Sequence, residues 1–411
     1  MPLSLTLYRA ASTLAAPLIP RYLARRAAQG KEQPTRLAER LGHASAPRPA
    51  GTLIWFHAAS MGETMSCLTL IALLAQRPNT TILLTTGTLT SARLAASRAA
   101  ALHQFVPLDT PAATARFLDH WRPDLAIFIE SEIWPNLLTG LDHRAIPRVL
   151  LNARLSARSA RSWARFPAAA SALFGGFTWI AAQSTEDAVS LRSLGITKVE
   201  MLGNLKFAAP ALPDNQAARA ELQSISADWL LAASTHEGEE AILLAAHRIL
   251  RDQFPALITI IAPRHPERAS AIMSLAGSLP IARRSRSESP EPGGLYLADT
   301  LGELGLFYRL CPIAFIGGSL VPIGGHNLIE PAQRGCAVLT GPHIENFTEI
   351  AATLRAAGAL IDVTADTLAP TLRDLLADPA RRAIIGAAGQ TACAREADLP
   401  QRLTARIEAL L

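Results

Sequence analysis

A chain of 411 residues exceeds one ordinary hydrophobic core, and its 49% hydrophobic and 18% charged content excludes a disordered protein. Its net charge of +5 comes from arginines scattered along the chain with no basic run interleaved with aromatics, which argues against nucleic-acid binding. The cysteines Cys67, Cys311, Cys336 and Cys393 form no C-x-x-C pair and no histidines have zinc spacing, so free thiols in a reducing compartment and no structural metal are expected.

Residues 3–19 are apolar apart from Arg9 and a few hydroxyls, and Arg21, Arg25 and Arg26 follow. The stretch falls short of the roughly 20 apolar residues of a spanning helix. Its charges follow the apolar run, whereas those of a cleavable signal peptide precede it. Residues 1–30 therefore read as a membrane-anchor segment lying in an anionic bilayer surface, with the body on the cytoplasmic side. The alternative is an amphipathic helix packed on the protein itself.

Short apolar runs then alternate with helix-period segments. Residues 52–56 (TLIWF), 81–84, 125–129 (LAIFI), 148–151 and 179–182 read as buried strands of a parallel α/β sheet. The Pro-rich stretch 208–215 is the best linker between a domain at 31–207 and one at 216–390. The second domain repeats the alternation at 229–233, 257–262, 294–297, 313–316, 337–339 and 359–363. Residues 283–293 (RRSRSESPEPG) read as a solvated insertion, and 391–411 as a C-terminal helix that could pack back on the first domain. Two facing Rossmann-like sheets would form an interdomain cleft, with active residues just after strands.

The most informative segment is FIGGSLVPIGGHNLIEPA at 315–332. Gly317 and Gly318 permit a tight turn. Gly324 and Gly325 precede a helix expected to begin near His326 or Asn327, whose amides would suit a phosphate. Glu330 lies one turn on, where a carboxylate could accept ribose hydroxyls. After the strand at 257–262, Arg264 and His265 offer a guanidinium and an imidazole to a phosphate. Ser234 and Thr235 follow the strand at 229–233 with hydroxyls for the same anion.

In the first domain, HAASMGE (57–63) follows TLIWF, and Ser60, Gly62 and Glu63 suit a turn leading into a helix. Glu130, Glu132 and Trp134 follow LAIFI. Two carboxylates beside an aromatic could orient sugar hydroxyls, bridge the domains or brace the Glu63 loop, and a supporting role is the favoured reading. Lys206, in GNLKF and one of three lysines, could stabilise substrate charge or form a bracing ion pair.

The segment GGSLVPIGGHNLIEPA resembles the nucleotide-binding signature of bacterial 3-deoxy-D-manno-octulosonic acid (Kdo) transferases. HAASMGE, ESEIWPN (130–136), NARLS (152–156), GNLKF (203–207), ASTHEGEE (233–240), APRHPER (262–268) and DTLGEL (299–304) agree in the same order. The resemblance implies a GT-B type fold whose first domain binds the acceptor and whose second binds the CMP-sugar. It implies an inverting enzyme that moves Kdo from CMP-Kdo to the lipid A precursor, lipid IVA, in lipopolysaccharide biosynthesis at the cytoplasmic face of the inner membrane. Glu63 is then the base for the acceptor hydroxyl. Arg264, with the 324–327 turn, balances the CMP phosphate, and Thr300, Gly302 and Glu303 lie near the cytidine. No cofactor or metal is expected, in keeping with the absence of a D-x-D motif. The rival readings are a UDP-sugar enzyme of the same architecture and a non-catalytic membrane scaffold.

Overall fold

The computed structural model describes residues 1–411. Two compact units divide the chain. The first is Met1–Pro210 together with Glu396–Leu411, and the second is Ala211–Arg395. The helix Pro379–Ala394 thus runs through the boundary expected at residue 390 and ends with the second unit.

The first unit holds seven strands: β1 Thr52–His57, β2 Thr80–Thr86, β3 Leu102–Phe105, β4 Leu125–Ile129, β5 Arg148–Ala153, β6 Trp179–Ala182 and β7 Val199–Met201. They pair in parallel in the order β3-β2-β1-β4-β5-β6-β7. Both faces are covered, so successive residues of one strand enter opposite cores. Leu53 and Trp55 join one cluster, Ile54 and Phe56 the other. This double burial is why TLIWF and LAIFI are apolar without alternation. The helix Leu399–Glu408 closes the second cluster with Leu399, Leu403 and Ile407.

The second unit holds β8 Trp229–Thr235, β9 Ile258–Pro263, β10 Ile281–Arg283, β11 Leu295–Leu297, β12 Ile313–Ile316, β13 Ala337–Thr340 and β14 Leu360–Asp362. Their order is β10-β11-β9-β8-β12-β13-β14, again all parallel. In each sheet the chain direction across the strands reverses next to the first strand, between β1 and β4 and between β8 and β12. A crevice at the carboxyl ends of the strands is expected at such a reversal.

Part of the expected insertion at 283–293 is instead built into the second sheet. Arg283 ends β10 and pairs with Asp299 at 2.6 Å, and Arg284 pairs with Glu303 at 2.7 Å. Opposite charges supplied by the segment after β11 hold these arginines.

The N-terminal helix Leu3–Ala15 packs one face on the first unit. Leu5 is buried in its core, the Tyr8 hydroxyl donates to Asp109 at 3.0 Å, and the Asn136 amide donates to Ser12 at 3.0 Å. Leu3, Leu7, Leu14, Leu18 and Tyr22 remain exposed. No helix is long and apolar enough to cross a membrane.

Candidate active site

In the first unit, β1 delivers His57 and leads through Ala58–Ser60 into the helix Met61–Leu74. Ser60 caps that helix by accepting the Glu63 amide at 3.3 Å. Glu63 reaches back in turn. One carboxylate oxygen accepts the Ala59 amide at 2.8 Å and the other the Ser60 hydroxyl at 2.7 Å. The side chain is therefore held rigidly at the strand end while 8% of the residue stays exposed. Burial, opposed by the Ser60 hydrogen bond and reinforced by the charges of Glu132 and Glu130, holds its pKa above the ordinary carboxylate value. A carbon added at Gly62 would come no closer than 4.0 Å to Ser60 Oγ, so the exposed surface above this helix start is open.

Glu130 and Glu132 lie between β4 and the helix Pro135–His143 and divide the work. Glu132 Oε2 meets His57 Nε2 at 3.0 Å and accepts the Trp134 indole at 2.6 Å. The fully buried His57 ring is fixed on its other side by Thr85 Oγ1 at 3.0 Å. Burial opposes ionisation of Glu132, but the contact and charge of His57 and the indole donor outweigh it, and its pKa is lowered. Glu130 takes a left-handed conformation with φ of 61° and pairs with Lys206 at 2.6 Å. Lys206 is thus a bracing ion-pair partner. Its segment is pinned by Asn152, whose carbonyl accepts the Leu205 amide at 2.9 Å.

In the second unit, β8, β9 and β12 bring Ser234, His236, Arg264, His265 and the 317–327 loop to one end of the sheet. His236 and His326 meet edge to edge, nearly coplanar, with ring centroids 5.1 Å and Nε2 atoms 2.8 Å apart, and His265 meets His236 edge-on at 5.7 Å. Arg264 is exposed, and its charge acts on both His236 and His326. Burial, then the positive neighbours His236, Arg264 and His265, push His326 down to about 4. Ser234, like Glu130, holds a positive φ, 56°, at its strand end.

Glu239, which the sequence reading passed over, organises this region. It is fully buried and accepts four backbone amides: His236 at 2.9 Å, Gly318 at 2.7 Å, Ser319 at 3.0 Å and Leu320 at 2.9 Å. The Gly-Gly turn after β12 is therefore closed by a protein carboxylate, and those amides are not free for a phosphate. Gly317 is required by proximity, since a side-chain carbon there would lie 2.6 Å from the Ser234 carbonyl and 2.7 Å from Thr235 Cα. Glu240, also fully buried, pairs with Arg268 at 3.2 Å and accepts Thr235 Oγ1.

The helix expected at His326 or Asn327 begins later, at Ile329, and spans only Ile329–Gln333. Asn327 Oδ1 accepts the Ile329 amide at 3.0 Å, so the chain turns once more before becoming helical. A five-residue helix has few aligned peptides, and its dipole contributes little. Gly325 donates to the Gly318 carbonyl at 2.8 Å, whereas no backbone bond holds the amides of His326 and Asn327. Gly324, at φ of 101°, has the Asn346 amide 2.3 Å from where a side chain would begin. Glu330 sits half-buried on the short helix.

The Thr300 hydroxyl donates to Glu303, which also accepts from Arg284, the first cause of its lowered pKa. These side chains are committed to a bracing network, with Gly302 at the turn between them.

A family described as 3-deoxy-D-manno-octulosonic-acid transferase (kdotransferase) matches residues 35–209. A 3-deoxy-D-manno-octulosonic acid transferase of Haemophilus influenzae is 38% identical over 387 residues, covering 90% of each chain. One of Bordetella pertussis is 35% identical, covering 96% of each. Among solved structures, the UDP-GlcNAc 2-epimerase of Neisseria meningitidis aligns with a TM-score of 0.57 at 14% identity, covering 86% of this chain and 99% of the other; this likeness concerns the fold alone, the GT-B type. The chain belongs to the 3-deoxy-D-manno-octulosonic acid transferase family of glycosyltransferases.

Proposed function

We propose that the protein transfers Kdo from CMP-Kdo to the lipid A precursor, lipid IVA, with inversion, in lipopolysaccharide biosynthesis at the cytoplasmic face of the inner membrane. In this reading Glu63 takes the proton from the acceptor hydroxyl, and that oxygen forms the new bond to the anomeric carbon. The bond to CMP breaks, and the leaving phosphate is balanced by Arg264 and the 324–327 turn that carries His326. The observation that carries the reading is a buried, raised-pKa carboxylate held at a strand end within one unit of a Kdo transferase chain. Glu132 and Glu130 keep that carboxylate basic and its loop in place. No metal takes part in this scheme. The exposed Leu3, Leu7, Leu14 and Leu18, flanked by Arg21 and Arg25, support docking on an anionic bilayer.

The test is turnover of CMP-Kdo with a lipid A precursor, read as product mass. Transfer is expected with the native chain, undiminished by a metal chelator. Glu63→Gln keeps the size and an acceptor for Ala59 and is expected to lower the rate by about 10²–10⁴-fold. Turnover of a UDP-sugar with CMP-Kdo inert would overturn the donor assignment.

A further inference from the structure

Two imidazoles of the second unit meet through the same nitrogen. His236 and His326 lie nearly in one plane, 5° apart, and meet edge to edge with Nε2 atoms 2.8 Å from each other. That contact needs one ring to donate through Nε2 and the other to accept. The neutral donor ring then has a bare lone pair on Nδ1, and only the acceptor ring carries an Nδ1–H. No hydrogen bond within the chain involves Nδ1 of either ring. A neutral pair therefore offers an anion one donor and one repelling lone pair. One added proton converts it to two Nδ1–H donors and a net positive charge, with the Nε2 contact kept.

The surroundings are assembled around this pair from three strands. After β8 come His236 and, opening the helix Glu239–Leu250, Glu239 and Glu240, the first spent on four backbone amides and the second on Arg268. From the end of β9 come Arg264 and His265, the latter beside Glu267 at 3.5 Å. From the loop after β12 comes His326 itself. Burial, then a balance in which Glu239 and Glu240 oppose His265 and Arg264, leaves His236 below its ordinary pKa. The pair is therefore neutral at pH 7 until a negative charge arrives.

We propose that His236 joins His326 as a ligand of the nucleotide phosphate, and that this hydrogen-bonded pair takes up one proton from solvent when the anion binds. The proposal rests on the reading of this end of the sheet as the nucleotide-phosphate site. It adds a ligand, and it makes nucleotide affinity depend on pH with a definite sign. Arg264 stays charged throughout and confers no such dependence.

The experiment is calorimetric titration of the full chain with CMP near pH 7, in two buffers of different ionisation enthalpy. Binding is expected with uptake of on the order of half a proton or more per CMP. Affinity should fall from pH 7 to pH 8.5, where the phosphomonoester, with its second pKa of about 6, no longer changes charge. Cytidine should bind with no proton uptake. His236→Phe keeps an aromatic ring without nitrogens. It should abolish the uptake and weaken CMP about 10-fold or more, while cytidine binding is retained. CMP binding without buffer dependence in the native chain would overturn the proposal and leave the phosphate site standing. Failure of both CMP and cytidine to bind would overturn the site reading itself, and the proposal with it. The native-chain measurement decides the matter even if His236→Phe does not fold.

Discussion

Replacing Glu132 by Gln isolates the effect of one neighbouring charge on Glu63. Glu63 must be ionised to act as a base, so the rate falls as pH drops through its raised pKa. Removing the Glu132 charge lowers that pKa, so the acid limb of kcat/KM is expected to move to lower pH. A pH profile of the variant checks this; an unmoved limb would mean that Glu63 is not the titrating base. In the sequence, Glu63, Glu130 and Glu132 stand out as acidic groups just after apolar strands, and Lys206 as one of three lysines. His57 and His236 lay in quoted motifs but were passed over. Nothing local says that His57 Nε2 meets a carboxylate 75 residues away or that His236 meets a ring 90 residues away.

At the scale of elements, the Gly-Gly turn after β12 and the helix Glu239–Leu250 form one device. Gly317→Ala would drive a methyl into the Ser234 carbonyl and Thr235, two backbone positions that cannot give way cheaply. The variant is expected to lose about 2 kcal/mol or more of stability and most nucleotide affinity, as measured by chemical unfolding and CMP titration. The N-terminal helix allows a contrast between its faces. Leu7→Asp with Leu14→Asp alters only exposed positions and should reduce sedimentation with anionic vesicles while leaving the unfolding midpoint within a degree or two. Leu5→Asp places a charge in the core and should instead destabilise the fold, by roughly 3 kcal/mol or more. Equal vesicle binding by the native chain and the Leu7/Leu14 variant would remove this face from the membrane reading. Strand prediction failed at β3, β7 and β10, and all three are sheet edges. An edge strand has one neighbour and partial solvation, so LHQF, VEM and IAR carry polar residues that hide them among loops.

At the scale of the whole molecule, the chain leaves the first unit, builds the second, and returns with the helix Leu399–Glu408. Leu403→Ala is expected to cost about 2–5 kcal/mol in unfolding of the first unit, while Leu411→Ala at the exposed terminus should change nothing measurable. Equal effects would show that the returning helix does not complete that core. What the sequence by itself determined was the succession of central strands, the α/β class and the motifs that mark the family. Those depend on local apolar runs and on the residue types needed at strand ends. Tertiary structure alone decided that Glu239 closes the Gly-Gly turn, that the helix after Gly325 is a single short turn, that Arg283 belongs to the sheet with Arg284 paired to Glu303, and that two histidines meet through Nε2. Each of these is a contact between distant segments, and its energy comes from a partner that no local pattern names.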